Sequence, residues 1–241
     1  MTSGIDCLLE GLGLITKPGL RRYVVIPLLI NIVLLTLAAI WGVSKYSAWT
    51  AAISSYLPSW LEFLSSVISL IAALLVVVVV LYLFTIVASI IAAPFNAVLS
   101  EKVEERLTGR PPISESALHV LVVRAFWREI SKVFYYLKLL LILVVITLIP
   151  GINIVSPALW LAFGAWMLAV EYCDYAADNN EVPLKELRRR LGRSRAQALA
   201  FGILAYLMLA IPLLNLVLIP AAVAGGTVFW VRRLAPLAEG D

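Results

Sequence analysis

Residues 139–170 read LLLILVVITLIPGINIVSPALWLAFGAWMLAV, an uncharged run broken in its middle by Ile149-Pro150-Gly151-Ile152-Asn153 and again at Pro157. A helix needs about 20 apolar residues to cross a hydrocarbon core of about 30 Å. The run is long for one crossing, yet its first arm, 139–149, covers only about 16 Å of helix. Basic segments lie on both sides of it: Arg124, Arg128, Lys132 and Lys138 before, and Lys185, Arg188, Arg189, Arg190, Arg193 and Arg195 after. A single crossing would export one of them, against the cytoplasmic bias of Lys and Arg. The run is therefore expected to enter and leave on one side, as a half-penetrating helical hairpin.

Three other uncharged runs, 23–44, 63–100 and 196–231, complete the pattern. The last repeats the hairpin signature: Ile149-Pro150-x-x-Asn153-x-Val155 with Pro157-Ala158 returns as Ile211-Pro212-x-x-Asn215-x-Val217 with Pro220-Ala221. Backbone broken at membrane depth needs polar partners or a water-lined cavity. Asn153 and Asn215 thus either cap the broken helices or face a polar path.

Composition agrees. Hydrophobic residues make up 62% of the 241, charged residues 14%, and mean hydropathy is +0.99, more apolar surface than one soluble core could hide. Eighteen of the 19 Lys and Arg lie outside the 45–62 connection, which holds Lys45 alone. The fold class expected is an all-α integral membrane protein. It has two long transmembrane helices, two re-entrant hairpins and cytoplasmic helical extensions, with both termini cytoplasmic. The chain reads as a single membrane domain, 1–241. Residues 1–22 form an interfacial amphipathic segment, 23–43 a first span, and 61–108 a second span with a cytoplasmic extension. Residues 114–170 form a long helix and the first hairpin, 171–195 a basic cytoplasmic segment, and 196–231 the second hairpin. Asp6 and Glu10 argue against a removable signal peptide.

Ser114 can cap an amphipathic helix with Leu118, Leu121, Val122, Ala125, Ile130, Val133 and Leu137 on one face and Arg124, Arg128 and Lys132 on another. Trp41, Trp49, Trp60 and Trp230 read as an interfacial belt. Cys7, Cys173 and the single His119 support neither a disulfide framework nor a metal site. The chain has no phosphate loop, zinc-binding helix pair or nucleophile elbow, so no enzyme, cofactor or nucleic-acid partner is expected.

Lys17-Pro18-Gly19-Leu20-Arg21-Arg22 is the sharpest candidate site. Pro and Gly near a helix start leave backbone N–H groups and a positive dipole end for an anion, and adjacent guanidinium forks suit a tetrahedral oxyanion. The plainer alternative is that Arg21 and Arg22 anchor the span at anionic headgroups. Glu171, Asp174 and Asp178, at i, i+3 and i+7, are expected to be structural, pairing with basic residues 188–195 or with neighbours of Glu101.

Four stretches, KPGLRRYVVIPLLIN (17–31), APFNAVLSEKVEERLTG (93–109), AWMLAVEYCDYAADN (165–179) and IPLLNLVLIPAAVAG (211–225), together resemble the CysZ sulfate permeases of the bacterial inner membrane. The resemblance implies sulfate uptake for cysteine biosynthesis, two transmembrane helices with two hemi-penetrating hairpins, and homo-oligomers. It implies sulfate binding at Gly19, Leu20, Arg21 and Arg22. Two spans and two half hairpins are few to enclose a water path, so an oligomer is expected to complete a channel-like pore lined by Asn31, Asn153 and Asn215. The rival reading is a membrane scaffold or accessory subunit that binds anionic lipid headgroups.

Overall fold

Uncharged apolar runs become helices here because helix is the one conformation that satisfies every backbone N–H and C=O within the segment itself. The computed structural model describes residues 3–55, 65–112, 118–209 and 211–235, and among these no strand occurs. The helices are α1 (Gly4–Ile15), α2 (Arg22–Ser55), α3 (Ser65–Thr108), α4 (Leu118–Leu148), α5 (Ser156–Asn179), α6 (Leu184–Arg193), α7 (Arg195–Leu209) and α8 (Pro212–Phe229). A π-helical turn, Trp230–Leu234, extends α8. Several helices are long and apolar enough to cross a membrane.

Residues 25–95 form one compact unit, and residues 1–24 with 96–241 form another. The first holds the apolar lengths of α2 and α3. Their side chains stand exposed, Leu37 at 58% and Leu70 at 68%. Such surface is costly in water and costs nothing against acyl chains, which are as apolar as leucine. Both helices run through an internal proline, Pro27 and Pro94, as membrane helices tolerate.

The second unit has its core where α1, α5, α7 and α8 meet. Small residues let these backbones approach. A Cβ at Gly202 of α7 would land on the Ala165 carbonyl oxygen of α5, and one at Gly226 of α8 on that of Tyr172. Gly4 and Gly11 bring α1 equally close to α7 and α8. Phe201 and Phe229 fill the centre as a parallel stack, centroids 6.1 Å apart. The inner end of α3 joins this core: the Ser100 and Thr227 hydroxyls are 2.8 Å apart, and Asn179 Nδ2 donates to the Ala97 carbonyl at 3.2 Å.

Helices α4 and α5 form an antiparallel hairpin. Trp160 Nε1 donates to Thr147 Oγ1 near its tip and Trp166 Nε1 to Tyr135 Oη lower down, with ion pairs between Lys132 and Glu171 and between Arg128 and Asp174 beyond them. The tip follows from sequence. Gly151 adopts φ 87°, a conformation open chiefly to glycine. A 3₁₀ turn, Ile152–Val155, follows, and Pro157 sits at the start of α5 where its missing N–H is harmless.

Several expectations change. The two proline breaks are alike only in their first half: Pro212 opens α8, but Pro220 lies inside that helix without ending it. The amphipathic N-terminal segment packs Leu8 and Ile15 into the core and leaves Ile5 and Leu9 exposed. On α4 the basic stripe is the buried one, with Arg128 and Lys132 inside and Val133 and Leu137 exposed. Lipid solvates the apolar face, so the charges turn inward to find each other. Trp230 is buried rather than interfacial, with the Arg190 guanidinium 5.3 Å from its ring centroid. Trp41 is exposed; Trp60 and the Ser114 cap lie outside the described residues.

Candidate anion site and the ion ladder beside it

Ser3 begins the sequence of constraints that shapes the candidate site. Its Oγ accepts from the Asp6 N–H at 3.1 Å, while Asp6 Oδ2 accepts from the Ser3 N–H at 2.7 Å, a reciprocal box that starts α1. The same bonds to Ser3 hold the Asp6 carboxyl below its ordinary value. The helix stops at Thr16, whose Oγ1 donates to the Gly13 carbonyl at 2.8 Å. The chain then reverses through Lys17-Pro18-Gly19, with Gly19 at φ 90°. Leu20, only 3% exposed, plugs this turn into the core beside Leu14, Ile15 and Val24. With Leu20 pinned inward, Arg21 and Arg22 are left exposed at the first turn of α2.

The turn uses more of its own donors than the sequence suggests. The N–H groups of Leu20 and Arg21 both donate to the Lys17 carbonyl, at 3.2 Å each, and those of Tyr23 and Val24 donate to Leu20 and Arg21. Gly19 and Arg22 keep amide donors with no acceptor among the described residues. Leu20 therefore acts as an anchor rather than a donor, and Pro18 belongs to the turn instead of the first helical position. Arg22 is held in place: its Nη2 donates to Tyr23 Oη at 2.8 Å, and its guanidinium lies 4.8 Å from the Tyr23 ring centroid. The exposed Arg21 and Arg22 side chains and the positive end of the α2 dipole make a cationic surface turn, of a kind suited to a small oxyanion. On the far face of α1, Glu10 neutralises Arg232 at 2.6 Å.

The acidic trio finds partners that were not expected. Glu171, Asp174 and Asp178 face Lys132, Arg128 and Arg124 of α4, not the bases of 188–195. Arg128 Nε and Nη2 both reach Asp174 Oδ1, at 2.8 and 2.6 Å, and its Nη1 donates to the Val182 carbonyl at 2.8 Å. Lys132 Nζ lies 2.9 Å from Glu171, 3.4 Å from Asp174 and 2.6 Å from Glu129. Arg124 lies 3.1 Å from Asp178 and 3.0 Å from Glu181. The signal was present in the two stripes, i, i+4, i+8 and i, i+3, i+7, which match when two helices lie antiparallel. Glu101 pairs locally, 3.3 Å from Lys102. Glu104, a buried residue that sequence reasoning passed over, accepts from Asn180 Nδ2 at 2.8 and 2.9 Å.

The three asparagines are dispersed. Asn31, on α2, has a buried Oδ1 with no hydrogen-bond partner among the described residues. Asn153 sits exposed at the tip of the α4–α5 hairpin; its carbonyl, not its side chain, serves the turn by accepting from Ser156 Oγ at 2.6 Å. Asn215 lies in the first turn of α8, its side chain outside the described part. No cluster of metal-ligating side chains occurs among the described residues.

Comparison with known proteins gives consistent matches along the chain. The family model described as "Sulfate transporter CysZ/Etoposide-induced protein 2.4" matches residues 7–220. A protein named sulfate transporter CysZ from Pseudomonas paraeruginosa is 46% identical over 234 residues, covering 96% of this chain and 95% of its own length. One of the same name from Pectobacterium atrosepticum is 42% identical, covering 96% of this chain and 85% of its own. Another, from Salmonella typhi, is 42% identical over 95% and 92% respectively. The matched span takes in the Gly19–Arg22 turn, the α4–α5 ion ladder and the proline breaks at Pro150 and Pro212. This chain therefore belongs to the sulfate transporter CysZ/etoposide-induced protein 2.4 family.

Proposed function

We propose that this protein is a sulfate permease of the bacterial inner membrane that feeds cysteine biosynthesis through a channel-like path, without ATP hydrolysis and without enzymatic activity. The observation that carries the reading is the turn at Gly19–Arg22, where a buried Leu20 holds two arginines and two free amide donors toward solvent. Relatives named sulfate transporter CysZ, similar over nearly the whole chain, make sulfate the oxyanion of choice.

In this reading α2 and α3 cross fully, and α4–α5 and α7–α8 enter from the cytoplasmic side and return, with both termini cytoplasmic. Lengths support it. The apolar arm of α4 beyond Lys138 and α5 before Glu171 cover about 15 and 22 Å, and the 15 residues of α7 about 22 Å, short of a core of about 30 Å. The chain is a single membrane domain, and copies of it assemble around the pore with Asn31, Asn153 and Asn215 toward it. The orphan Asn31 Oδ1 supports this, since an unpaired acceptor on a lipid-facing helix costs several kcal/mol by rough estimate unless water or a neighbour meets it.

Channel-like passage fits the carboxylates. Glu171, Asp174 and Asp178 are tied to α4, and Glu104 to Asn180, so a proton relay would have to break structural pairs. The test is sulfate flux into liposomes that hold this protein alone. Wild type is expected to conduct down a sulfate gradient with no loss on adding an uncoupler, and Arg21→Ala/Arg22→Ala to lose at least about tenfold, matching two charge-assisted contacts. Equal flux by wild type and double variant removes the site; flux that collapses with the uncoupler removes the channel mechanism.

A further inference from the structure

A basic concavity lies away from the Gly19–Arg22 turn, between α4, α5, α6 and α7. It has a volume of about 850 Å³ and is open on one side. Its floor is apolar: Trp166 of α5, Leu199 of α7 and the Tyr135 ring of α4. Its rim is cationic, with Lys185 and Arg188 from α6 and Arg195 from the start of α7. Glu186 also borders it, but that carboxylate is taken by Arg189 at 2.7 Å and Arg190 at 2.8 Å.

Arg188 is the informative residue. Its guanidinium is stacked 4.1 Å from the Tyr135 ring centroid, and its Nε is buried with no hydrogen-bond partner among the described residues. The Tyr135 ring fixes the plane of the guanidinium at the edge of the cavity, which spares a ligand the cost of ordering it. Tyr135 Oη already accepts from Trp166 Nε1 at 2.8 Å, which leaves its own proton to donate. Two donors of the right kind, a phenol and an arginine, therefore border the cavity beside two further cations.

The volume decides what kind of anion fits. Cavities of about 300–1,000 Å³ hold organic ligands, and an inorganic oxyanion would leave most of this one empty. The cations are carried by the polar helix α6 and the first residue of α7, and the floor by the apolar stretches of α5 and α7. A phosphate at the rim with a hydrocarbon body along the floor matches that division, as basic pockets between membrane helices match lipid headgroups. We propose that this cavity binds the phosphate of an anionic phospholipid through Arg188, Tyr135, Lys185 and Arg195, with its glycerol and acyl portion against Trp166 and Leu199.

The test uses the full-length protein in detergent, titrated with phosphatidylglycerol and, separately, phosphatidylcholine and soluble glycerol phosphate, with bound lipid counted by native mass spectrometry. Phosphatidylglycerol is expected to saturate at one site per chain at least tenfold more tightly than phosphatidylcholine, and Arg188→Gln to lose that preference. Should Arg188→Gln fold poorly, Lys185→Gln/Arg195→Gln, at exposed positions, is expected to weaken the same site at least fivefold. Sulfate binding governed by Arg21 and Arg22 is expected to be unchanged in both variants, which separates this site from the transport reading. Equal phosphatidylglycerol binding by wild type and Lys185→Gln/Arg195→Gln overturns the proposal. So does glycerol phosphate binding as tightly as the lipid, which would make the ligand a soluble ester.

Discussion

Asp174 shows how a charge survives inside an apolar hairpin. Its carboxylate and the Arg128 guanidinium retain 7% and 8% side-chain exposure, and Lys132, at 3%, meets the second oxygen. Removing one member of a buried pair strands the other, which costs about 3–5 kcal/mol, whereas replacing both by apolar groups costs little. Asp174→Ala and Arg128→Ala are each expected to lower the thermal midpoint in detergent strongly, and Arg128→Met/Asp174→Leu to lower it less than either. A double variant as unstable as the sum of the singles would show the pair is not coupled. The individual stripes were legible in the sequence, because 3.6-residue periodicity shows which residues share a face. Their pairing was not, since nothing in spacing says which distant face will arrive opposite, and the acids had been expected to meet residues 188–195 instead.

At the scale of elements, close approach sets the requirements. Gly202 and Gly226 lie against the carbonyls of Ala165 and Tyr172, so backbone of one helix touches backbone of another where a side chain would intrude. Gly202→Val and Gly226→Val are expected to lose about 1–3 kcal/mol or more through overpacking. Gly13→Ala, where a Cβ would meet open space, is expected to be neutral in the same thermal assay. Helix α6 carries its own pH signature. Arg189 first, then Arg190, hold the Glu186 carboxyl down to about 2 from an unfolded value near 4.5. The folded value is the lower, so the pairing stabilises above the unfolded value and the gain is lost as pH falls toward about 2. The group is well solvated, so the gain stays below about 1 kcal/mol. Glu186→Gln is expected to be slightly less stable than wild type at pH 7, with the difference closing by pH 2.5 in chemical denaturation. Helix positions were readable from uncharged runs and proline breaks. The fate of Pro220 was not, because a proline inside an apolar membrane helix need not end it.

For the whole molecule, the expectation that matters most is assembly. Asn31 stands on α2 with an unmet acceptor, and Leu29, Val33, Leu37 and Ile40 of the same helix are exposed and apolar. A cysteine placed at Asn31, in a Cys7→Ala/Cys173→Ala background, is expected to crosslink between copies in native membranes. Only monomers, with sulfate flux intact, would sink the oligomeric pore. That the chain is built of helices long and apolar enough for a membrane was legible from its uncharged runs, whereas the core of α1, α5, α7 and α8 was not, because small-residue contacts leave no strong periodic trace. The ladder of three bases on α4 and three acids on α5 also bears on biogenesis. Either helix made without the other would leave three charges unmatched at the base of the hairpin, so α4 and α5 are expected to hold together only once both have been synthesised.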